Sequence, residues 1–205
     1  MKDRKLKGVL KRLDAEKEMF DVVGNTMVKE EWNKSVRGDW MLWFYQRLYP
    51  GNTKEYVLAS LHCAKTAKYL MDMHAEAAFQ ALFIAKAFAE GKVDRYILDS
   101  SRRSVANEAH SACNCESLYP ALCAAEAAVD TDYHRWIHNS ASFSAIAIYN
   151  QIEHRGQCPP DYEGYAHKQR VINRAKKAMK ENQKETADIC RKYLTITNYD
   201  FLQYL

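Results

Sequence analysis

Apolar residues return at three- and four-residue steps through most of the chain, and that period predicts helices. Leu6, Val9, Leu10 and Leu13 stand among lysines and arginines, which predicts an amphipathic first helix stopping before Gly24 and Asn25. A short helix follows from Met27 to Val36. Gly38 breaks it, and Asp39 is placed to cap the next, Trp40 to Leu48, which Pro50 and Gly51 end. Thr53 is a candidate cap for a helix that carries Tyr56, Val57, Leu61, Ala64, Ala67 and Leu70 and reaches about Met71. From Asp72 to Glu90 the apolar set is Ala75, Phe79, Leu82, Phe83, Ala85 and Phe88, closed by Gly91. Asp94 caps a helix running through Tyr96, Ile97, Val105, Ala109 and Cys113.

Leu118 to Val129 is Ala-rich, with Pro120 in a first turn, where a missing amide costs little. Asp130 or Asp132 starts another helix that reaches about Ile152. The clear loop is GQCPPDYEG, residues 156–164, and a charged helix from about Tyr165 to Leu194 follows it. The closing TNYDFLQYL has no strong period, although its aromatics suggest docking. Seven glycines and four prolines are too few for the turns of a many-stranded sandwich or barrel, so the fold class is all-α. Between residues 57 and 148 small side chains recur closely enough for helix axes to approach. The expectation is a tight stack of Ala-rich antiparallel hairpins in a single domain over 1–205, with the hairpin core at 28–155 and a basic C-terminal helix at 165–194.

At 205 residues, 47% apolar and 27% charged, the chain suits one ordinary globular domain with a core that needs no disulfide or metal. Its six cysteines are then not a scaffold. No apolar run approaches the ~18 residues that cross a bilayer, and the basic N-terminus lacks the apolar segment of a secretory signal. A cytoplasmic protein with reduced thiols and no membrane partner is expected. Charge is uneven: residues 1–13 carry six Lys/Arg against one acid, residues 167–192 nine against three, and residues 14–166 fifteen against twenty-one. Basic terminal helices are commonly solvated faces or contacts to a protein's own acidic centre, so nucleic acid is not the expected partner.

Few residues suggest chemistry. His134 and His138 lie four apart, so one helix face could present both rings to a metal, with Asp130 one turn earlier. His62 beside Cys63, and His110 near Cys113 and Cys115, offer similar sets, but none has paired Cys-x-x-Cys spacing, and no metal is expected. Cys63, Cys113, Cys115 and Cys123 read as small apolar residues of Ala-rich helices. Neither a nucleophile elbow, a P-loop nor a dinucleotide fingerprint occurs, and neither an enzyme nor a cofactor is expected. Arg102 and Arg103, with Ser100, Ser101 and Ser104 around them, have the forks and hydroxyls of a phosphate site. The same pair also fits a helix surface ion-paired to Asp99 or Asp94.

The densest segment is GDWMLWFYQRLYP, residues 38–50, in which Trp40, Trp43 and Phe44 can share a helix face. Both a core anchor and a binding hot spot fit that pattern. Together with Trp32 in KEEWNKSV, the Ala-rich hairpins from His62 to Ala147, and NQKETADICRKYL at the close, it resembles the immunity protein family of bacterial toxin systems, also found in phage genomes. The likeness covers roughly residues 28–194. It implies an all-helical, non-enzymatic protein that blocks a toxin by binding it, with Asp39, Trp40, Leu42 and Trp43 as motif residues. The longer basic N-terminal helix and the CPP loop at 158–160 depart from the family's layout.

Two functions remain open. In the first, a stoichiometric inhibitor covers a toxin or defence effector, using Asp39, Trp40, Trp43, Asp130, Asp132 and Trp136, with Glu108, Glu116 and Glu126 completing an acidic face. In the second, a phage-type sponge holds a nucleotide immune signal between helices or subunits, through Arg102, Arg103, Ser104, His110, His134 and Arg135. A homodimer is expected, since 13 tyrosines exceed what a domain this small buries.

Overall fold

The computed structural model describes residues 6–15, 17, 19, 28–71, 75–131, 139–155 and 165–196, and within these the regular structure is helical throughout. Helix α1 is Leu6–Arg12, α2 Val28–Lys34, α3 Gly38–Leu48, α4 Thr53–Lys65, α5 Glu76–Ala89, α6 Arg95–Ser111, α7 Leu118–Val129, α8 Ser140–Arg155 and α9 Tyr165–Tyr193. A 3-10 turn, Lys68–Leu70, follows α4. Among the described residues no helix is long and apolar enough to cross a membrane.

Several boundaries follow local chemistry. The Asp94 carboxylate accepts from the Ile97 amide at 3.0 Å, which is the capping bond its position predicts. Gly91 adopts φ +74°, and the amides of Gly91 and Lys92 return to the Phe88 and Ala87 carbonyls at 2.9 and 2.8 Å, closing α5. Pro120 sits in the first turn of α7.

Other expected boundaries are corrected. The first helix stops at Arg12, where Asp14 takes φ 55° and turns the chain well before Gly24. Asp39 does not cap α3. The cap position is Arg37, whose side chain grips Asp39 instead, Nε to Oδ1 at 2.9 Å and Nη2 to Oδ2 at 2.6 Å. Thr53 lies inside α4, which ends at Lys65 and not near Met71. The helix begun at Asp94 ends at Ser111, short of Cys113. The cap of α8 is Asn139, with Oδ1 accepting from the Ala141 and Ser142 amides at 3.2 and 3.3 Å, in place of Asp130 or Asp132.

Successive helices from α4 to α9 pack on one another, giving one compact helical domain, and two of them are interior. Helix α7 buries Pro120, Ala121, Leu122, Cys123, Ala124, Ala125, Ala128 and Val129, so it is apolar nearly all round and is enclosed by α4, α5, α6 and α8. Helix α4 meets α3, α5, α7, α8 and α9. Its Ala59, Ser60, Cys63 and Ala64 are small, and so are Ala141, Ser144, Ala145 and Ala147 of α8, which lets the axes close on one another.

Helices α3 and α9 approach closely at Gly38. A Cβ there would sit 2.6 Å from the backbone carbon and Cβ of Thr186, so only glycine lets α3 rest on α9. A seam of small polar groups runs along this junction. Cys190 Sγ donates to the Gly38 carbonyl at 3.5 Å, and Asn139 Nδ2 donates to the Asp39 carbonyl at 2.7 Å. Ser144 Oγ and Thr66 Oγ1 donate to the Cys63 carbonyl at 2.9 and 2.7 Å, and Asn182 Nδ2 donates to Thr66 Oγ1 at 2.8 Å. Gly38→Ala should therefore destabilise the chain by about 2 kcal/mol, as overpacking does, with the shift read from urea unfolding midpoints. An unchanged midpoint would show that α3 and α9 can separate without cost.

Candidate functional site

The tryptophan segment is largely buried. Asp39 is 3% exposed and Trp43 is buried, while the half-buried Trp40 receives the Arg37 guanidinium over its ring at 4.3 Å. Arg37 thus joins Asp39 and Trp40 in one local cluster. Trp32, Trp40, Met41 and Phe44 line an apolar cavity of about 50 Å³ with Leu6 and Leu10 of α1.

Two carboxylates expected on an acidic face, Glu108 and Glu126, are engaged within the fold. Glu108 of α6 accepts from the Ala77 and Ala78 amides at 3.4 and 3.0 Å, capping α5 from a neighbouring helix. Glu126 of α7 pairs with Arg102 of α6 at 3.7 Å. Glu116 remains exposed, 3.7 Å from His154. Asp130 is half-buried at the end of α7. Asp132, His134, Arg135, Trp136 and His138 lie outside the described residues, as do residues 156–164 and 197–205.

Arg102 and Arg103 leave α6 in different directions. Consecutive residues on a helix diverge by about 100°, so Arg102 turns to Glu126 while Arg103 and Ser104 face solvent. Arg103 instead belongs to an exposed stripe on α6 with Tyr96, Ser100, Asn107 and His110, at alternating four- and three-residue steps. Tyr96 is 72% exposed, and Ile97 is exposed beside it.

A second surface brings together residues far apart in sequence. His62 on α4 stacks on Tyr193 of α9, with ring centroids 4.5 Å apart and planes 13° from parallel. Lys192 Nζ lies 5.1 Å from the centre of that tyrosine ring, and Lys65 stands one turn beyond His62 on α4. The register of antiparallel α4 and α5 is marked at both ends. Lys54 Nζ lies 3.1 Å from where a Gly91 Cβ would be, and Lys68 Nζ lies 5.3 Å from the Phe79 ring centre. That register puts Phe83 level with His62, and Phe79, Phe83 and Lys86 share one stripe of α5. Phe83 is 72% exposed although it belongs to the apolar set of this segment. Adjacent residues cannot share one inward direction, and Leu82 takes it.

The electrostatics agree with this convergence. Burial, followed by the charges of Lys65, Lys192 and Lys86, lowers the His62 pKa from its ordinary value. Burial, then Lys86 and Lys68, lowers that of Lys65. Among the described residues neither Lys65 nor Lys192 is in an ion pair. The nearby acids are held elsewhere: Glu90 by Lys92 at 2.6 Å, with Lys86 at 3.7 Å, and Asp188 by Arg191. The charge of Glu185 is felt at both Tyr69 and Cys63. Farther along α9, Lys176, Lys177, Lys180 and Lys184 form an outward basic row interrupted by Glu181.

The thiols divide by location. Cys63 is fully buried, its Sγ 3.9 Å from the Thr186 carbonyl, and burial raises its pKa strongly. Cys190 is buried in the same seam, and Cys123 is pushed up to about 11, chiefly by burial. Cys113 and Cys115 are exposed. Among the described residues no group of three or more His, Cys, Asp and Glu side chains is arranged to hold a metal ion. Comparison with protein-family models, curated proteins and solved structures gives no match.

In an NMR titration His62 should gain its proton below pH 6.5, the ordinary histidine value. Because the folded chain holds that proton less tightly than the unfolded one, the neutral ring's contribution to stability is full above that value. It shrinks as the pH falls through it. Lys65→Ala should move the midpoint part of the way back up, burial being the larger cause. No movement would mean that the lysine's charge does not reach the ring.

Proposed function

We propose that the chain is a non-catalytic binding protein of the immunity or anti-defence type, which neutralises a toxin or defence effector protein by occupying it stoichiometrically. The observation that carries this reading is the α6 ridge, where Tyr96 at 72% exposure stands in line with Arg103, beside Ile97. Tyrosine and arginine are enriched where binding energy concentrates, and a rigid helix presents them without an ordering cost. Groups that might otherwise do chemistry are tied into the fold: Asp39 by Arg37, Glu108 by the α5 amides, Glu126 by Arg102, and Cys63 and Cys190 by burial. The resemblance of the tryptophan segment to immunity proteins supports the same reading, with that segment as framework and α6 as the contact surface.

Titration of the purified chain against a toxin that it suppresses in co-expressing cells tests this. Inhibition should end sharply at a fixed molar ratio, and a complex of that ratio should survive gel filtration and native mass spectrometry. Tyr96→Ala with Arg103→Ala should weaken the complex by about 2 kcal/mol or more while leaving the unfolding midpoint in place. Full suppression by a small molar fraction of the chain would mean turnover and overturn the proposal. Unchanged affinity in the double variant would remove the ridge from it.

A further inference from the structure

We infer that the face built by His62, Lys65, Phe83, Lys86, Lys192 and Tyr193 is a binding site for a nucleotide, with lysines on the phosphates and the exposed Phe83 ring and the half-buried His62 and Tyr193 rings beside the base. This site is separate from the α6 ridge and does not depend on a protein partner. Three lysines reach it from α4, α5 and α9, so their positive charges are brought together by the fold and not by a local sequence run. Assembling like charges opposes folding, and the cost is offset when an anion neutralises them. Glu90 pairs with Lys92 at 2.6 Å and lies 3.7 Å from Lys86, and Asp188 pairs with Arg191, which leaves Lys65 and Lys192 without an ion pair among the described residues.

The aromatic groups narrow the anion. A site for phosphate alone has no use for a phenylalanine 72% exposed at the level of His62. Nor does it require a histidine stacked at 4.5 Å on a tyrosine, a pair that offers a planar edge beside the lysines. Lysine charge next to exposed aromatic surface is the combination that holds nucleotides through backbone and base at once, because every base has a π-face. His62, kept neutral by burial and its lysine neighbours, retains one ring N–H and one acceptor nitrogen for a base edge. A free nucleotide and a nucleotide within a single strand share this chemistry.

The test titrates the full chain at low salt with ATP, cyclic di-AMP, a ten-residue deoxyadenosine strand and inorganic triphosphate, by calorimetry and by chemical-shift changes at His62. ATP or cyclic di-AMP should bind at least tenfold tighter than triphosphate if the source is a free nucleotide. If the source is a strand, the oligonucleotide should bind tightest, with a logarithmic salt slope of about −2 for three lysines. In either case Lys65→Ala with Lys192→Ala should weaken binding at least tenfold, Phe83→Ala should weaken it severalfold, and Phe83→Trp should restore it. Tyr96→Ala with Arg103→Ala should leave it unchanged, which separates this site from the α6 ridge. Circular dichroism and the unfolding midpoint confirm that each variant is folded. Triphosphate binding as tightly as ATP, with Phe83→Ala silent, would overturn the nucleotide assignment, and no binding by any of the four probes would overturn the site.

Discussion

The contact on which the rest of the structure depends is the approach of α3 to α9 at Gly38 and Thr186. A Cβ on Gly38 would meet both the side chain and the backbone carbon of Thr186, so the glycine sets how near the two helices come. Asn139 holds the Asp39 carbonyl from the start of α8, and Cys190 holds the Gly38 carbonyl from within α9. Three chain segments that are distant in sequence therefore meet at one turn of α3. Helix α4 is bound into the same seam through the carbonyl of Cys63, which accepts from both Ser144 and Thr66. Hydroxyls, amides and thiols serve here because each is small enough for close axes and still satisfies a buried carbonyl.

That seam also explains why the tryptophan segment is distinctive. Asp39 is buried, and a buried carboxylate needs a paired and hydrogen-bonded cation. Arg37 supplies one through two bonds and lays its plane over Trp40, so the acid, the arginine and the ring hold one another. Arg191 of α9 adds a bond from Nη1 to the Ser35 carbonyl at 2.7 Å, just past the end of α2, where orphan carbonyls collect. An acid-Trp motif in this setting keeps α2, α3 and α9 in register, and its sequence pattern reflects that packing.

Helices were legible because a 3.6-residue apolar period is local, and so was Asp94, whose capping bond spans three residues. What the chain does at Asp39 was not legible, since capping and pairing with Arg37 look alike until the helix start is known. The cap of α5 is Glu108, from another helix, and no local pattern announces it. Phe83 belongs to the apolar period of its segment, yet Leu82 beside it takes the inward direction. On the candidate surface, His62 and Lys65 were visible as helix neighbours, and Phe83 and Lys86 likewise. Their convergence with Lys192 and Tyr193 was hidden, because it depends on α9 folding back over α4, which the seam at Gly38 enforces.

The packing that makes this fold rigid also directs where it can bind. Alanine and serine at the helix contacts bring axes close and leave little interior volume, and the apolar cavity of about 50 Å³ beneath α1 to α3 is far smaller than a nucleotide or a peptide side-chain cluster. Recognition is then left to outer faces, whose residues are not needed by the core. On α5 and α6 each helix gives one stripe to the interior, Ala78, Ala81, Leu82 and Ala85 on one and Leu98, Ser101, Val105 and Ala109 on the other. The outer faces carry Phe83, Lys86, Tyr96 and Arg103, large or charged side chains on regular helices. Rigid presentation lowers the entropy cost of association, so even a modest exposed surface can supply useful affinity.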